Sequence, residues 1–107
     1  MTFINLTPHS VTLMRDGGLL RISPEPIPAR CEESETLSAT VAGYPVYSVT
    51  FGTVYGLPEP KEGMLYIVSR MVAEALPDRH DLVFPHQLVR DSAGNIVGCE
   101  ALGEAWA

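Results

Sequence analysis

The stretch from Gly63 to Pro77 limits the possible folds more than any other. Leu65-Tyr66-Ile67-Val68 is an unbroken apolar run. Without polar alternation, such a run reads as a short strand covered on both faces. Ser69 follows as an N-cap, its hydroxyl placed to accept a hydrogen bond from one of the first free N–H groups of a helix. Met71, Val72, Ala75 and Leu76 then fall on one apolar stripe at helical spacing. Pro77 stops the helix, predicted over Arg70 to Leu76, because it disfavours helical geometry in the residue before it and lacks a donor. A helix that short is marginal alone, so the rest of the chain must supply a sheet for it to pack on.

Hairpins supply that sheet. Thr2 to Thr7 reads as a first strand ending at Pro8. Val11 to Met14 and Leu19 to Ile22 flank Arg15-Asp16-Gly17-Gly18, and Asp-Gly between apolar runs signals a tight hairpin turn. Ser23-Pro24-Glu25-Pro26-Ile27-Pro28 is a stiff extended connection, since each proline fixes φ and lacks a donor. A second hairpin places Leu37 to Val41 against Tyr44 to Val54 across Ala42-Gly43, its second arm dense in β-branched and aromatic residues. Gly52 marks a bulge or a close backbone approach. Tyr47 and Tyr66 are expected in the core. Leu82-Val83-Phe84 is a short run interrupted by Pro85. A last hairpin joins Gln87 to Arg90 with Ile96 to Glu100, with Gly94 left-handed in its turn. The fold class expected is α+β, a curved, mainly antiparallel sheet of hairpins packed on one short helix.

The 107 residues fit one domain, 1–107. No window approaches the roughly 20 apolar residues of a membrane span, and the N-terminus carries no secretory pattern. The expectation is a cytoplasmic protein with no membrane partner. Thirteen acidic against seven basic residues leave a net charge of −6, which opposes attachment to a nucleic-acid backbone. Cys31 and Cys99 are far apart and outside any Cys-x-x-Cys pair, so they read as buried thiols. Glu32, Glu33 and Glu35 form either a solvated edge-strand guard or an acidic contact patch.

Ser69 and Arg70 are the first candidates for chemistry. A helix opening from a buried strand presents free N–H groups, and a neighbouring guanidinium adds donors, so a phosphate or carboxylate could dock there. The plainer reading is a capping serine and an Arg70–Glu74 pair. Arg79 and Arg90, with His9 near the end of the first strand, complete the expected anion-binding set of Ser69, Arg70, Arg79, Arg90 and His9. Arg79-His80-Asp81 could offer an imidazole with an orienting carboxylate, but a turn more often uses such residues as caps and ion pairs. His9, His80 and His86 lack metal-ligand spacing. No catalytic residue, metal or cofactor is assigned. Trp106 near the C-terminus suggests docking on the body or at an interface.

Ile4-Asn5-Leu6-Thr7-Pro8-His9-Ser10-Val11, Gly56-Leu57-Pro58-Glu59-Pro60, Leu65-Tyr66-Ile67-Val68-Ser69 and Leu88-Val89-Arg90-Asp91 with Gly94 and Ile96-Val97-Gly98-Cys99 resemble a group of small phage, prophage and bacterial proteins. The resemblance spans most of the chain and carries no activity, cofactor or catalytic residue with it. What it implies is an accessory role. Small acidic phage proteins of this kind often bind and inhibit a host component, including anti-defence action against CRISPR effectors or capture of an anionic nucleotide signal. The expected function is thus a non-catalytic inhibitor whose partner is a host protein or an anionic small molecule. The alternative is a small enzyme acting on a nucleotide or similar anion through His9 or His80. A homo-oligomer built on paired sheet edges is compatible with both.

Overall fold

A computed structural model describes residues 1–15 and 18–106. Its elements are β1 (Thr2–Asn5), β2 (Val11–Arg15), β3 (Gly18–Ile22), β4 (Arg30–Val41), β5 (Tyr44–Tyr55), β6 (Met64–Ile67), α1 (Arg70–Ala75), β7 (Leu82–Arg90) and β8 (Ile96–Gly103). The described residues are mostly β, with one short helix. Among the described residues, six strands form one sheet in the order β1-β6-β7-β8-β2-β3, while β4 and β5 pair only with each other.

The large sheet is mixed rather than mainly antiparallel. β1 with β6, β6 with β7, and β8 with β2 run parallel; β7 with β8 and β2 with β3 run antiparallel. Parallel neighbours need a crossover of about a dozen or more residues, which Val68 to Asp81 provides around α1. Hairpin signals register only pairings between sequence neighbours, so the long-range β1–β6 and β2–β8 contacts leave no local trace. The first hairpin pairs Val11 with Ile22 through Arg15 with Gly18 as expected; its turn residues Asp16 and Gly17 lie outside the described residues. Beyond β3, Pro24 bridges Asn5, and the Glu25 N–H donates to the Asn5 carbonyl at 2.8 Å. The two ends of the sheet therefore meet, and it curls into a nearly closed barrel.

Alternation along β6 divides the core in two. Ile67 points to the layer holding Val11, Val83 and Cys99, while Tyr66 and Val68 point to the layer holding Leu6, Val72, Ala73, Leu82 and Phe84. Tyr66, Ile67 and Val68 are almost completely buried, as a strand covered on both faces requires. Ser69 caps α1, its Oγ accepting from the Val72 N–H at 3.2 Å. β7 passes straight through Pro85. The Val83 carbonyl accepts from Val68 on the β6 side, so alternation turns Pro85 to that same side, past the last β6 partner, where no donor is needed.

β4 and β5 leave the body as an arm. Both are 12 residues long, and residues 32–53 are exposed without interruption. The Cα radius of gyration is 16.4 Å, against about 13 Å for a compact chain near this length. Ala42 and Gly43 close the tip with φ of 51° and 85°, the two positive values that a type I′ hairpin turn demands. Tyr47 is 46% exposed rather than in the core. Its β-favouring neighbourhood was legible, but a two-stranded ribbon has no second layer to bury it.

Candidate functional site

Cross-strand register decides what the arm displays. Residues directly opposite in an antiparallel pair share a face. Cys31 opposes Val54 at the base, and both pack on the body's core. Farther out, Glu33 opposes Phe51, Glu35 opposes Val49 and Leu37 opposes Tyr47. The register shift between Cys31 and Glu33 falls at Gly52-Thr53 on β5, a bulge of the kind Gly52 suggested. A bulge sets two residues against one and leaves the flanking pairs in phase. Val54, Phe51, Val49, Tyr47 and Leu37 therefore continue the core outward as one stripe. The last four are between 46% and 57% exposed. On the other face the middle of the arm is polar, with Ser34 opposite Thr50 and Thr36 opposite Ser48.

At the foot of the stripe, Phe51 lines a hollow of about 450 Å³ with Arg70, Met71, Glu74 and Ala75 of α1. Met71 is 41% exposed there. The charge distribution is lopsided. Glu32, Glu33 and Glu35 all lie on β4, whereas β5 carries no ionisable Asp, Glu, Lys, Arg or His. A long apolar strip beside an uncharged strand edge, with Glu33 and Glu35 flanking it on the same face, can bind a protein surface or a β-strand.

The anion-site candidates are spread over the body, each tied into the chain. Ser69 caps α1 and lines a hollow with Pro8, Arg30 and Tyr55. The Arg70 Nε donates to Glu74 at 2.8 Å, and its guanidinium lies 5.4 Å above the Phe84 ring. Arg79 makes a two-pronged contact with Asp81, at 2.8 and 2.9 Å, and donates to the Pro58 carbonyl at 3.0 Å. That hydrogen-bonded guanidinium holds the Asp81 carboxyl below its ordinary range, and Asp81 in turn raises the pKa of Arg79. Arg90 donates to the Gly94 carbonyl at 2.9 Å and braces the β7–β8 turn. In that turn, N–H groups led by that of Asn95 lower the pKa of Asp91. The His9 carbonyl accepts from the Asn5 side-chain amide at 2.8 Å. Ser69, Arg70 and Arg79 line three different hollows.

His80 stacks on Trp106 with ring centroids 5.0 Å apart, and the Trp106 Nε1–H donates to the Leu82 carbonyl at 3.3 Å. The terminal tryptophan thus docks on the body. Burial raises the pKa of the Cys99 thiol and keeps it protonated and unreactive. Among the described residues no group of three or more His, Cys, Asp or Glu is arranged to hold a metal ion, and no helix is long and apolar enough to cross a membrane. Gln87 escaped the sequence reading: it takes a left-handed φ of 53° inside β7 and lines a shallow hollow of about 560 Å³ with Met14, Arg15, Val89 and Glu100. No strand propensity signals such a residue.

Fold and surface together define a small curled-sheet protein with a projecting apolar β-arm. No protein family, curated protein or solved structure matches the chain.

Proposed function

We propose that this protein is a non-catalytic binding module that engages a protein partner through its β4–β5 arm, in the accessory, inhibitory role implied by its resemblance to small phage proteins. The partner on this reading is a host component, an anti-defence target being the case the resemblance favours. The observation that carries the reading is the stripe of Phe51, Val49, Tyr47 and Leu37. Four large apolar side chains about half exposed in a row on an unsupported ribbon form a contiguous patch of the kind that marks interaction surfaces. Aromatic residues along it suit the centre of an interface.

The test compares proteins retained from host lysate by the wild type, by Tyr47→Glu/Phe51→Glu and by Arg90→Ala. A specific protein held by the wild type and Arg90→Ala, but lost from the arm variant, supports the reading. Identical retention by all three removes the arm from the function. A screen of nucleotides by thermal shift runs in parallel, and a rise in midpoint confined to anionic nucleotides would favour capture of a small molecule instead.

A further inference from the structure

We infer that the free edge of β5 is a self-pairing surface, and that two copies of this chain join their arms antiparallel into a four-stranded sheet ordered β4-β5-β5-β4. The inference rests on the reading of the arm as the docking element and names a second copy as its first occupant. β5 ends the two-stranded ribbon, so among the described residues a row of its N–H and C=O groups has no strand beside it. Such an edge is a template for another strand unless charge, proline or a bulge blunts it. On β4 three glutamates do so. On β5 the run from Val46 to Phe51 contains no charge, proline or glycine; Pro45 and the Gly52-Thr53 bulge stand only at its ends.

Charge selects the second copy over other arrangements. The chain carries a net charge of −6, which works against self-association unless the joined surfaces are neutral. A β4–β4 seam would set glutamates directly against glutamates. A β5–β5 seam leaves them on the two outer strands, three strand spacings or about 14 Å apart. That exceeds the screening length of about 8 Å at physiological salt.

Side-chain phase fits the same arrangement. A two-fold axis at Ser48, near the middle of the uninterrupted run, sets Tyr47 against Val49 of the second copy and Pro45 against its Phe51. All of these lie on the stripe face, so the two stripes merge into one platform rich in aromatic and β-branched pairs, which sheets favour. The tip of each arm then ends beside the other copy's Phe51, at the hollow next to Met71 and Ala75.

Sedimentation equilibrium over a range of concentrations tests this on the full chain. Ser48 is exposed and faces its own counterpart across the axis. Ser48→Lys and Ser48→Glu should each weaken self-association by about fivefold or more, from like charges set directly opposite. Mixing the two variants should restore a one-to-one dimer, which also shows that both are folded. A wild type that stays monomeric overturns the inference, and so does a dimer indifferent to both charges. The two readings fail separately. A monomeric wild type whose lysate partner is still lost on Tyr47→Glu/Phe51→Glu discards the second copy and keeps the arm. A Ser48-dependent dimer with lysate retention unchanged by that variant keeps the second copy and discards the outside partner.

Discussion

Asn5 is the residue on which the closure of the sheet turns. It is 1% exposed, and its amide uses its full capacity. Nδ2 donates to the carbonyls of His9 and Ile22, and Oδ1 accepts from the Thr7 N–H and hydroxyl. One side chain thus ties β1 to the end of β3 and shapes the turn through Pro8. Asn5→Asp turns a donor into an acceptor facing two carbonyls, and should destabilise by about 3 kcal/mol in urea unfolding. An unchanged midpoint would show that Asn5 is not what joins the two ends. The Arg79–Asp81 pair is the second such tie, because Arg79 also holds Pro58 while the Tyr66 hydroxyl donates to the Glu59 carbonyl. The Asp81 carboxyl titrates below its unfolded value of about 3.9. Its contribution is therefore complete above that value and is lost as pH falls through the depressed folded value. Asp81→Asn should cost about 1 kcal/mol at pH 7, and the gap to the wild type should narrow by pH 3. Equal gaps at both pH values would mean that the charge contributes nothing.

At the scale of elements, the arm carries its own local strain. Ala42 sits at φ 51°, where a Cβ crowds the following carbonyl at a cost of about 1–2 kcal/mol, whereas asparagine tolerates that geometry. Ala42→Asn should tighten the tip and slow amide hydrogen exchange in residues 36–48 by up to about tenfold, with little change in exchange at β6. Faster exchange would show that the turn does not limit opening of the arm. The β6–α1–β7 unit behaves differently. Six helical residues could not persist alone, but Val72 and Ala73 are buried against Tyr66, Val68, Leu82 and Phe84. Cap and terminating proline were legible there because each acts within one turn of chain; of the expected stripe Val72 and Leu76 pack on the core, but Met71 and Ala75 are exposed and Ala73 is buried in their stead.

For the whole molecule, the barrel-like body and the arm divide the work of stability and recognition. Both core layers lie in the body, and among the described residues of the arm only Cys31 and Val54 at its base pack against them. Replacing residues 37–47 by Asn-Gly, which joins the opposed Thr36 and Ser48 through a two-residue turn, should leave the body's unfolding free energy within about 1 kcal/mol of the wild type. The same change should abolish self-association and partner binding. A loss of more than about 3 kcal/mol would make the arm part of the folding unit. The motifs behind the resemblance also acquire a structural meaning. Gly56-Leu57-Pro58-Glu59-Pro60 is strapped to Tyr66 and Arg79, and Gly56, at φ 83°, lies so close to the Pro28 carbonyl that an added Cβ would sit 2.9 Å from it.

Local rules were enough to read the buried strand, the cap of α1, its end before Pro77, the hairpins and the turns of the second and last of them from the sequence, because each depends on residues a few positions apart. The parallel pairings, the continuity of β7 through Pro85 and the exposure of Tyr47 are different. Each depends on which strand, or none, lies alongside, and chain neighbours do not carry that information. A β-favouring, apolar setting buries Tyr66 beneath a helix yet leaves Tyr47 facing solvent. Whether such a stripe becomes core or contact surface was decided only when the tertiary fold placed a second layer over one and not over the other.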